Sequence, residues 1–228
     1  MDIHKPKPWH GFRDLLKEVG TIVIGVLIAL CGEQAVEWLH WRHEVAETRK
    51  ALDAELSHDL FAFKDEVAQR TCIAGRLAQI DQWVALKRAG RFTPLKSAVG
   101  QPDLFNLHFA IWEGATGEAR AHIPLEARMA YAKLYDVLQA HGRNMDRGFA
   151  SWDRLGDFAF DAATSPQDLQ TIEGLVRRLR GDLDSMPAYQ AYIDRLGQDL
   201  GIRPQSDLSG AETSNVAIHE ARLCAPLL

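Results

Sequence analysis

Between residues 37 and 47 the chain reads EWLHWRHEVAE, which gathers Glu37, His40, His43, Glu44 and Glu47. On a helix His40 lies one turn from both His43 and Glu44. Imidazoles and carboxylates at that spacing can share a zinc or copper ion. The motif is not HExxH, however, and no distant fourth ligand stands out. The reading is a solvated polar face, with His40, His43, Glu44 and Glu47 as the metal candidates and no cofactor expected. His58-Asp59 reads as an ordinary surface pair. Motifs for other chemistry are missing: there is no GxSxG elbow, no SxxK and no Walker A loop. Gly114-Ala115-Thr116-Gly117 lacks the preceding strand and the Lys of a phosphate loop. Arg177, Arg178 and Arg180 are followed by Asp182 and Asp184, the pattern of a charged helix face. No catalytic residue is assigned, and the protein reads as more in keeping with a binding role than an enzyme.

Three cysteines are present, Cys31, Cys72 and Cys224. If the domain is exported, Cys72 and Cys224 could bridge and pin the end of the chain to a helix, a cross-link that typically stabilises by ~2–4 kcal/mol. The alternative is two unrelated thiols, since three cysteines do not fix connectivity. No CxxC occurs. Trp112, Tyr131, Tyr135, Phe149, Trp152, Phe158 and Phe160 are read as core-filling rings, because aromatics contribute large buried areas. The other reading has them lining a pocket for a small apolar ligand.

The elements that must position these residues begin with an apolar run. From Val19 to Gly32 the sequence VGTIVIGVLIALCG carries no charge. Its length alone falls short of the ~20 residues of a usual span. The flanks extend it: Leu15 and Leu16 on one side, Val36 and Leu39 on the other, with Lys17 able to snorkel. Trp9, Trp38 and Trp41 bracket it as interfacial anchors. Trp9 to Trp38 covers roughly 43 Å at ~1.5 Å per helical residue, the thickness of a bilayer with its headgroups. An uncleaved signal anchor is the favoured reading. A cleaved signal peptide and a buried helix of a soluble protein are the alternatives. Lys5, Lys7, Arg13 and Lys17 make the N-terminal flank the more basic, which predicts a cytoplasmic N-terminus and an exported C-terminal part. Thr21, Gly25, Ala29 and Glu33 recur every four residues, a small-residue stripe on which two such helices could pair.

Beyond the run, no proline occurs between Pro8 and Pro94. Val45, Leu52, Leu56, Leu60, Phe63, Val67, Ile73, Leu77, Ile80 and Val84 keep helical spacing, which predicts one long helix from Glu33 to about Ala89. Gly90 to Pro102 reads as a loop. A helix is expected after Pro124, weakened at Gly142 and Gly148, followed by a further segment through Trp152 toward Ala163. Ser165-Pro166 opens a helix to about Asp184, and Pro187 opens another that closes near Gly201. The chain should be all-α: a short cytoplasmic N-terminus (1–18), a transmembrane signal anchor with interfacial flanks (15–39), an α-helical periplasmic domain (40–202) and an irregular tail packed on it (203–228).

Composition agrees with one medium domain. The 228 residues are 46% hydrophobic and 25% charged, near the average for soluble domains, which excludes disordered, collagen-like and polytopic membrane classes. A net charge of −5 and a pI near 6.0 argue against nucleic acid as a partner. The segments EVGTIVIGVLIALCGEQAVEWLHWRHEV, HIPLEARMAYAKLYDVL and LCAPLL resemble an uncharacterised family of bacterial single-pass membrane proteins. The resemblance implies an inner-membrane anchor and a helical periplasmic domain, and no activity. The expected role is therefore interaction or scaffolding, with the bilayer and a protein partner or second copy as partners. The alternative is a sensory or ligand-binding domain, and an undetected enzyme is the third reading.

Overall fold

The structure, a computed structural model, describes residues 11–91, 94–102, 107–115, 117–158, 160, 165–205 and 221–228. Six helices carry them: α1 (Phe12–Ala68), α2 (Arg70–Arg88), α3 (Ala110–Gly114), α4 (Gly117–His122), α5 (Leu125–Gly156) and α6 (Pro166–Leu200). No strand occurs among the described residues, and the fold is all-α as expected.

The proline-free stretch forms the two helices α1 and α2 with no loop between them. At Gln69 the backbone stays right-handed (φ −73°, ψ −9°), and its N–H bonds the Asp65 and Glu66 carbonyls. The Gln69 carbonyl in turn accepts from Ile73, so α2 takes over at once. The 57 residues of α1 span about 85 Å. Its N-terminal part contains an 18-residue stretch apolar enough to cross a membrane, and none of that stretch is buried.

Two apolar clusters make the core, one on each side of the Gln69 break. Leu52, Leu56, Leu60 and Phe63 of α1 pack against Tyr131, Leu134, Tyr135 and Leu138 of α5 and Ile193 and Leu196 of α6. Ile73, Leu77, Ile80, Trp83 and Val84 of α2 pack against Trp152 and Leu155 of α5 and the first half of α6, Leu169 to Leu183. The α1–α2 rod, α5 and α6 thus form a three-helix bundle, with α5 and α6 antiparallel. Each fully buried leucine contributes about 1.5–3 kcal/mol, which holds together helices of average propensity.

Two expected helix boundaries are absent. Pro187 lies inside α6 instead of opening a new helix. The apolar stripe runs on through it, Leu183, Met186, Ile193 and Leu196 all being buried. That packing outweighs the one backbone hydrogen bond a proline removes. Likewise α5 passes through Gly142 and Gly148 to Gly156 as a single helix. Gly148 is buried where α5 meets α6, with Leu179 and Asp182 of α6 opposite. The Ser165 cap is present as a full capping box with Asp168, and α6 closes on Gly201 at φ +72°.

The end of the chain is not wholly irregular. Residues 221–224 form a helical turn, and Leu223 and Leu227 enter the core beside α2. Cys72 and Cys224 are disulfide-bonded, with Cα atoms 4.8 Å apart. One and two turns along the same face of α2, Arg76 and Gln79 complete the attachment. The Arg76 Nη2 donates to the carbonyls of Arg222, Leu223 and Ala225 at 2.8, 3.0 and 2.9 Å. The Leu227 N–H donates to Gln79 Oε1, and the Leu227 carbonyl accepts from Lys96.

Candidate polar cluster and central cleft

The residues singled out along the anchor remain exposed. Thr21, Gly25, Ala29 and Glu33 have nothing of this chain packed on them, and the Thr21 hydroxyl donates back to the Lys17 carbonyl. Trp9 lies outside the described residues. Trp38 is exposed, with the Arg42 guanidinium over its ring at 5.3 Å. Trp41 is half-buried instead of free for the interface, because its ring stacks on His122 of α4 at 4.1 Å. Tertiary contacts along α1 therefore reach back to Trp41. His40, His43, Glu44 and Glu47 are exposed and do not converge as a metal group.

A different cluster does converge, one the sequence reading treats as a surface pair. Glu55 and Asp59 fall four residues apart on the inward face of α1, between Leu52, Leu56, Leu60 and Phe63. They serve the segment 107–112, which docks across that face. The Glu55 carboxylate accepts the N–H groups of Ile111 (2.8 Å) and Trp112 (3.2 Å), replacing the missing cap of α3, and the Tyr135 hydroxyl (2.8 Å). Asp59 Oδ1 accepts the His108 N–H at 2.8 Å. The Asp59 side chain is 0% exposed, and its Oδ2 has no hydrogen-bond partner among the described residues. Burial pushes its carboxyl up to about 7, against the opposing pull of the His108 N–H and the His108 charge. A buried carboxylate left with an idle oxygen is costly unless something compensates it.

Two imidazoles complete the cluster. His58 Nδ1 and His108 Nδ1 face each other at 3.1 Å. Asp59 Oδ1 lies 3.4 Å from the first and 3.9 Å from the second. His58 is partly exposed and His108 half-exposed, so the group opens to solvent over a buried floor. The signal for Glu55 and Asp59 is present in the sequence as two carboxylates on an apolar stripe. The arrival of His108 from fifty residues away is not.

The second feature is a cleft of about 70 Å³ at the level of the Gln69 break, between the two apolar clusters. Phe149, Trp152 and Tyr189 line it, with Glu66, His141 and Asp182 as its ionisable groups. Glu66 Oε2 and His141 Nε2 are 2.6 Å apart and both side chains are largely buried. The remaining rings expected as core or pocket divide in favour of the core. Tyr131, Tyr135 and Phe160 are buried in it, Trp112 stacks on Tyr135 at 4.8 Å, and Phe158 packs against Phe160.

Compared with protein families, with curated proteins and with solved structures, the chain finds no match.

Proposed function

We propose that this protein is a non-enzymatic, single-pass inner-membrane protein whose helical domain stands in the periplasm and works by contact with other proteins. The observation that carries the reading is the continuity of α1. Its apolar stretch is unburied, and the same helix, without interruption, supplies Leu52, Leu56 and Leu60 to the core. Leu39 to Leu52 is about 20 Å of helix, so the domain is held at short range and fixed angle from the span. The basic flank before the span supports an inside N-terminus. The Cys72–Cys224 bridge supports an oxidising compartment, where such bonds persist. The stripe Thr21, Gly25, Ala29 and Glu33 is the face on which a second span, from another copy or another protein, would pack.

A second reading draws on the central cleft. Its three aromatic rings and the Glu66–His141 pair would suit a small ligand with an apolar body and one polar end. In-cell cross-linking followed by detergent extraction and co-purification separates the two. A stoichiometric protein partner or a cross-linked dimer supports the interaction reading. A monomer that carries a bound small molecule supports the second.

A further inference from the structure

We infer that His58, Asp59 and His108 form a binding site for a divalent transition-metal ion of the zinc type. Three electron-pair donors, two imidazole Nδ1 atoms and Asp59 Oδ1, face one another with separations of 3.1, 3.4 and 3.9 Å. With both Nδ1 atoms unprotonated, three lone pairs so close repel one another unless a cation lies among them. A triangle with these sides has a circumscribed radius of about 2.0 Å, so a single point lies about 2.0 Å from all three atoms. Zinc takes histidine nitrogen at ~2.0–2.1 Å and carboxylate oxygen at ~2.0–2.2 Å. A pair of imidazoles with one carboxylate is a donor set for zinc, copper or nickel rather than calcium or magnesium, which prefer oxygen.

The surroundings are those of a built site. Asp59 is fully buried, and its Oδ1 is held in place by the His108 N–H. His58 comes from the C-terminal part of α1, within its core-packed stretch, and the docking of residues 111 and 112 on Glu55 fixes the path that brings in His108. The three ligands leave the solvent side open, where water or a donor from another molecule completes the shell. An ion here would tie α1 to the 107–109 segment. The inference does not depend on the interaction reading, since it rests on α1 and the segment beside it. The competing account is a proton: one Nδ1–H donating to the other ring, with no metal affinity.

The test uses the full-length, untagged chain in detergent, stripped with chelator and titrated with Zn²⁺ alone in competition with a chromophoric chelator. The expected result is one equivalent bound per chain with Kd below about 100 µM, in keeping with three protein ligands. The H58Q/H108Q double variant should bind at least about tenfold more weakly, whereas H40Q/H43Q should bind like the wild type. The melting curve of each variant without metal checks its fold. Should H58Q/H108Q not fold, X-ray absorption at the zinc edge of the loaded wild type decides, and it should show two imidazole nitrogens. No saturable binding below about 100 µM, undiminished binding by a folded H58Q/H108Q, loss in H40Q/H43Q instead, or fewer than two imidazoles would overturn the site.

Discussion

Burial beside carboxylates makes the hydroxyls of Tyr131 and Tyr135 poor acids. Tyr131 is 1% exposed, and burial, together with its bond to Asp53, pushes it up to about 12. Tyr135 is pushed up as well, by burial and then by Glu55. An acid whose pKa is raised by folding favours the folded state only while protonated. Its stabilisation is complete below pH ~10, where the unfolded tyrosine is also neutral, and is lost as pH rises through about 12. Urea unfolding should therefore show stability falling by about 2 kcal/mol more between pH 10 and 12 in the wild type than in Tyr131→Phe. Equal slopes would show that Tyr131 is not held this way. Arg76 offers a second residue-scale case. It is 0% exposed, and among the described residues its Nε and Nη1 have no hydrogen-bond partner, while Nη2 donates to three carbonyls. Arg76→Met should release those carbonyls and cost about 2–4 kcal/mol in the same assay. A change under 0.5 kcal/mol would mean that methionine packing offsets the lost bonds.

Among the elements, spacing rules read the α1–α2 rod, the Ser165 cap and the Gly201 stop correctly, because each is local. They misplace the breaks at Pro187, Gly142 and Gly148, because there the packing of α5 against α6 and α1 overrides local preference. Gly148 illustrates how. A Cβ at that position would meet Asp182 Oδ2 at 3.6 Å and Leu179 Cδ2 at 3.9 Å, ordinary contacts. Gly148→Ala should therefore raise stability by about 0.5–1 kcal/mol through helix propensity, measurable as a higher Tm. A fall in Tm would show that the two helices approach more closely than this geometry allows. The tail belongs to the same scale. The sequence offers Cys72 and Cys224 as a pair, while Arg76 and Gln79 could be linked to it only after the helix face they share is known. Purified protein should migrate differently with and without reductant. Cys72→Ser/Cys224→Ser should lose about 2–4 kcal/mol and expose the last eight residues to protease. Identical migration with both thiols open to alkylation would remove the bridge.

For the whole molecule, the average composition conceals a division that the structure makes plain. No residue from Leu15 to Leu39 is buried, and the core begins at Leu52. An exposed apolar helix of that length is unstable in water and has to be covered, by lipid or by protein. The grouping of His58, Asp59 and His108 is the least legible feature in the sequence. His58 and Asp59 adjoin, but His108 reaches them only because Glu55 and Asp59 dock a segment distant in the chain. The central claim, that α1 holds the domain on a bilayer, is tested most directly by alkaline carbonate extraction of membranes from cells making the full chain. The protein should remain in the membrane pellet at full length and be released only by detergent. Recovery in the carbonate supernatant, or as a soluble form shortened by the first thirty or so residues, would contradict it.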